Sequence, residues 1–169
     1  HVATMIAMII LTIALLILAK ARRIDLSIFP AKFTWPYIIG TLILAFLLIS
    51  TPIITGDSRI KVIVVMIYAS VVTPVFEELL FRGYIWTSLK DVTNNEIMTY
   101  IITSILFALW HLGYVEGIAF RVSDGLAWIM LWKVIIGLLY GLIVGAVRLW
   151  TKNCYLSIVL HGIMNIFGR

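Results

Sequence analysis

The sequence predicts an all-α fold, a polytopic bundle of about six transmembrane helices, and three observations carry that reading. Of the 169 residues, 63% are apolar and only 12% are charged, against roughly half and a quarter in an average globular chain. Mean hydropathy is +1.11. The apolar residues also gather into long runs, with most of the charge confined to short segments between them. A water-soluble domain could not clothe its surface with so few charges. Lipid as the solvent removes that difficulty, and it demands that backbone groups be satisfied within each helix.

Taken in order, Val2–Ala19 is a first span, closed by Lys20, Arg22 and Arg23. It is too long, and its basic cluster lies on the wrong side, for a signal peptide. Trp35–Ile54 is a second span, headed by the interfacial aromatics Trp35 and Tyr37 and ended by Pro52 and Gly56. A third apolar stretch runs from Ile60 to about Leu89, roughly 45 Å of helix. That exceeds a hydrocarbon core of roughly 30 Å, so this helix must tilt or protrude. Glu96–Leu112 is the fourth span, followed by a glycine-containing loop, Gly113–Gly125. Leu126–Trp150 is the fifth, and Cys154–Phe167 is a short sixth. The chain begins at His1 without a methionine and stops at Arg169 just after an apolar run. It therefore reads as one transmembrane helical domain, residues 1–169, trimmed at one or both ends.

The net charge of +5 does not point to nucleic acid, because the basic residues form no patch interleaved with aromatics. They set orientation instead. Lys20, Arg22, Arg23, Lys32, Lys90, Arg148 and Lys152 fall on one side, and Arg59, Lys61 and Arg121 on the other. The richer side is expected to be cytoplasmic in a multi-pass protein of the cell membrane. Cys154 is the single cysteine, so no intramolecular disulfide is possible.

An ionisable side chain inside a span costs roughly 2.5–3.5 kcal/mol on insertion scales and asks for a reason. Three places do so: Glu77-Glu78-Leu79-Leu80-Phe81-Arg82, Phe107-Ala108-Leu109-Trp110-His111, and His161-Gly162-Ile163-Met164-Asn165. Glu78 and Arg82, four apart, share a face and can pair. Glu77 lies about 100° round the helix, so Arg82 cannot serve both carboxylates equally. Either Glu77 is a spare carboxylate beside a structural ion pair, or it faces a cavity as a general base. His111 alone reads as well as a satisfied core residue, and His161 with Asn165 as interhelical hydrogen-bonding glue. Counted from the basic ends of their helices, however, Glu77 and His111 both lie roughly 20 Å deep and His161 roughly 14 Å. Three polar groups at comparable depth on three helices suggest one shared site.

These patterns, in this order, resemble the CAAX-protease and bacteriocin-processing family of intramembrane endopeptidases, and within it the type II CAAX prenyl endopeptidases. The resemblance runs from Glu77 to Asn165, about half the chain, on EExxxR, FxxxH and HxxxN. It implies that Glu77 and His111 activate the attacking water, that His161 and Asn165 stabilise the oxyanion, and that Glu78 and Arg82 shape the site. The substrate expected from it is a membrane-associated peptide, prenylated or otherwise hydrophobic. Family members usually have about eight spans, which fits a trimmed or short member.

Peptide hydrolysis needs a base for water and donors for the developing oxyanion. An Asn amide is a good oxyanion donor and an uncommon catalytic zinc ligand, which favours a cofactor-free mechanism. Glu77, His111 and His161 form the competing set, two imidazoles and a carboxylate that would hold zinc with an open position, although the chain has no HExxH. Other nucleophiles are poorly placed: Cys154 sits at a helix start near the interface, and no base is placed for Ser104 or Ser157. Gly137, Gly141 and Gly145 mark close packing between spans, or else a substrate groove or dimer face. Outside catalysis, the alternatives are a bacteriocin-immunity or scaffold protein, or a small proton-coupled transporter. For transport, the spans hold too few polar residues beyond the site.

Overall fold

The computed structural model describes residues 2–168. It is 83% helical and contains no strand among the described residues. Five helices are long and apolar enough to cross a membrane, and Tyr155–Phe167 is a shorter apolar one. We number the helices α1 (Val2–Arg22), α2 (Trp35–Ile54), α3 (Ile60–Thr93), α4 (Glu96–Trp110), α5 (Val115–Ala119), α6 (Leu126–Thr151) and α7 (Tyr155–Phe167). Large apolar side chains such as Ile17, Phe46, Leu42 and Leu139 stand exposed on the outside, as lipid-facing side chains do.

Helix α3 is continuous over 34 residues, and two π-helical segments, Tyr68–Val72 and Leu79–Ile85, bracket the short α-helical stretch Thr73–Glu78. The sequence pattern did not show them, yet Pro74 gives the first a physical cause. The Thr73 amide donates to the Tyr68 carbonyl, five residues back. The next amide in that register would be that of residue 74, and proline has none, so the Ala69 carbonyl is left open. Asn165 fills it, its Nδ2 donating to Ala69 O at 2.8 Å. The second π segment is met in a comparable way: Arg148 Nε donates to the Arg82 carbonyl at 3.1 Å. π segments inside α-helices frequently occur at functional sites, and these two enclose Glu77 and Glu78.

Helix α7 packs against α2, α6 and the first π segment of α3. Gly162 permits this approach, because a Cβ there would overlap the Ser70 carbonyl. Helices α4 and α6 form the most extensive helix pair. A Cβ on Gly141 would stand 3.0 Å from the Ser104 carbonyl, and one on Gly145 2.8 Å from the Tyr100 ring, so the glycine stripe is the close-packing seam of this pair. Helix α3 ends on Asn94 in the left-handed region (φ 47°), and Asn95 caps α4 by accepting from the Ile97 and Met98 amides at 3.0 Å. At that end Glu96 bonds both Lys90 and Lys152. The stretch expected as a loop is partly ordered: His111–Tyr114 is a 3₁₀ turn and α5 follows it.

Candidate active site

Glu77 and Glu78 project from the α-helical stretch between the π segments, and both are buried. Their roles divide as the helix geometry anticipates. Glu78 Oε1 accepts from Arg82 Nη1 at 3.0 Å, with both side chains fully excluded from solvent. The guanidinium also donates from Nη2 to the Gly141 carbonyl at 2.9 Å and lies 4.4 Å from the centroid of the Phe107 ring. Arg82 thereby ties α3 to the glycine seam of α6. A cation this deep is tolerable only with such partners.

Glu77 turns away from Arg82. Its Oε1 accepts from Trp110 Nε1 and from the Tyr114 hydroxyl, each at 3.1 Å, and its Oε2 lies 3.8 Å from His161 Nε2. His111 Nδ1 stands 2.8 Å from the Phe107 carbonyl. Because a carbonyl can only accept, a proton sits on Nδ1. The ring fits because residue 137 is glycine; a Cβ there would stand 2.8 Å from His111 Nδ1. His161 Nδ1 lies 2.9 Å from Glu78 Oε1, so the imidazole spans the two carboxylates.

Glu77, His111, His161 and Asn165, on three helices, all line one cavity of about 140 Å³. Thr73, Tyr114, Lys133 and Tyr140 share its wall, while Glu78 and Arg82 support it from behind. The six residues singled out in the sequence are thus brought together. The donors to Glu77 were missed. Tyr114 follows His111 by three residues, and only the 3₁₀ turn reveals that it reaches back towards α3. Trp110 read as part of an apolar run. Among the described residues, no three His, Cys, Asp or Glu side chains gather closely enough to hold a metal ion. Cys154 is buried, and its thiol lies 3.3 Å from the Leu26 carbonyl, away from this cavity.

An apolar helical bundle with a carboxylate, two imidazoles and an amide converging on an internal cavity is a multi-pass membrane protein with a buried acid–histidine centre. A family model described as type II CAAX prenyl endopeptidase Rce1-like matches residues 59–167, from the start of α3 to the end of α7, and the chain belongs to that family. It is also similar to the UPF0177 protein YxdF of Lactococcus lactis subsp. lactis (strain IL1403), with 31% identity over 98 residues. That alignment covers 58% of this chain and 44% of the relative, so the chain spans less than half of the curated relative it matches. No solved structure matches the chain.

Proposed function

We propose that this chain is an intramembrane endopeptidase in which Glu77 and His111 activate a water to cut a membrane-associated, hydrophobic or prenylated peptide. The observation that carries this reading is the convergence of Glu77 and His111, the latter held through Nδ1 by the Phe107 carbonyl, on one cavity. The water oxygen bonds to the scissile carbonyl carbon while its proton passes to Glu77, with His111 Nε2 orienting or relaying it. The resulting oxyanion meets His161 and Asn165. One N–H of the Asn165 amide is committed to Ala69, and the second remains for the oxyanion. His161 faces the same cavity, with its Nδ1 2.9 Å from Glu78 Oε1 and its Nε2 3.8 Å from Glu77 Oε2. The carbon–nitrogen bond then breaks as the leaving amine takes the proton back, and Glu77 returns to its starting state.

The test is cleavage of a panel of prenylated and unmodified apolar peptides by the purified protein in lipid. Glu77→Gln keeps the size and polarity of the side chain but cannot accept the proton. Turnover should fall by roughly 10²–10⁴ in a protein that remains folded. Near-normal turnover in a folded Glu77→Gln protein overturns the assignment. A wild-type protein that cuts no peptide of the panel favours the non-catalytic immunity or scaffold role.

A further inference from the structure

Glu77 is held by one of its two oxygens. The indole Nε1 of Trp110 and the hydroxyl of Tyr114 both donate to Oε1, each at 3.1 Å. Neither bond uses Oε2, which lies 3.8 Å from His161 Nε2. A buried carboxylate needs hydrogen-bond donors, but donors spread over both oxygens would meet that need equally well. Two donors on one oxygen do something more: they fix the orientation of the group and make its two oxygens different.

Both donors come from the segment that carries His111. Trp110 immediately precedes it, and its ring packs edge-on to Phe81 and tilted against Phe76, with centroids 6.0 and 6.2 Å apart. Those two rings belong to α3 and set the direction of the indole N–H. Tyr114 follows His111 by three residues. In a 3₁₀ turn residues three apart eclipse, and the Tyr114 ring lies against that of His111 with 5.7 Å between centroids. One short segment thus places the imidazole and grips the carboxylate. We infer that Trp110 and Tyr114 are positioning residues that pin Glu77 Oε1, set the carboxylate relative to His111 and leave Oε2 to receive the proton of the attacking water. This rests on the endopeptidase reading above. The competing explanation is that the two donors only satisfy a buried carboxylate, and it ties their loss to stability rather than to turnover.

The test reads the carboxyl group itself as well as turnover, with the whole chain in nanodiscs. The infrared difference spectrum between wild type and Glu77→Gln isolates the band of the Glu77 carboxyl group. That band should move in Tyr114→Phe and in Trp110→Phe. In each variant kcat should fall about tenfold while KM stays within about twofold of wild type. The double variant should lose more than the product of the two single losses, because either donor alone still holds Oε1. Tyr100→Phe is the control: it removes a hydroxyl bonded to the Leu142 carbonyl and should leave both the band and kcat unchanged. An unmoved band, a moved band with wild-type kcat, or a loss of activity that only follows a lowered unfolding midpoint overturns the inference. Failure of the endopeptidase reading looks different: wild-type protein that cuts no peptide of the panel, or undiminished cleavage by Glu77→Gln, whatever the band does.

Discussion

Truncating Arg82 to alanine removes a fully buried guanidinium together with everything that it holds. The substitution deletes the 3.0 Å contact with Glu78, the 2.9 Å hydrogen bond to the Gly141 carbonyl and the contact with the Phe107 ring. Gly141 keeps a donor in Ser104 Oγ at 3.1 Å, so its carbonyl is not orphaned. Glu78 fares worse, left buried with His161 as its one remaining partner among the described residues. Breaking a buried pair in this way costs about 3–5 kcal/mol, and the emptied volume adds to it. We expect Arg82→Ala to lower both the yield of folded protein and its midpoint of unfolding in mild detergent. Glu78→Gln together with Arg82→Ala should be less damaging than the sum of the two single changes, because no charge is then stranded. Arg59→Ala is the control: its pair with Asp57 is exposed, and the midpoint should not move. Full yield and a wild-type midpoint for Arg82→Ala, with turnover alone lost, would refute the pairing and put Arg82 in contact with substrate.

Gly137→Ala should leave the fold intact but displace His111, costing about 10²-fold in turnover for a shift on the order of 1 Å; normal turnover would mean that the ring position does not matter. Gly162→Ala drives a Cβ into the Ser70 carbonyl and should destabilise by about 1–3 kcal/mol or more, read as a lower unfolding midpoint with α7 accessible to protease. Exhaustive chelation should leave cleavage unchanged, and elemental analysis should find no stoichiometric zinc. Metal that tracks with activity and disappears in both His111→Ala and His161→Ala would overturn the metal-free mechanism.

The features that were legible in the sequence are those set within a single helix. The boundaries of α2 follow from its aromatic head and its Pro52–Gly56 end, and the Glu78–Arg82 pair follows from four-residue spacing. The divergence of Glu77 from that pair follows from the angle between neighbouring residues. What the sequence concealed depends on two helices at once. His161 appeared as a companion of Asn165 on one face of α7, but it also bridges the two carboxylates of α3. Asn165 appeared as an oxyanion donor, and half of its amide is spent on the Ala69 carbonyl. The signal for that contact was present in Pro74, whose missing amide must leave an acceptor unpaired somewhere upstream. Tyr114 was hidden because a 3₁₀ turn was read as loop.

The wide turns of α3 bear on how the family can vary in length. A π segment amounts to one residue more than the α path between the same two points. Deleting the extra residue between Tyr68 and Val72 would restore the α path and leave the flanking faces of α3 in place. What it would remove is the wide turn that presents the Ala69 carbonyl to Asn165, and α7 would lose that anchor. A deletion between Leu79 and Ile85 would likewise close the turn whose Arg82 carbonyl Arg148 holds. The interval from Ala69 to Arg82 therefore works as a fixed ruler. Relatives should tolerate insertions and deletions at the connections between spans far more readily than a single-residue change inside that interval.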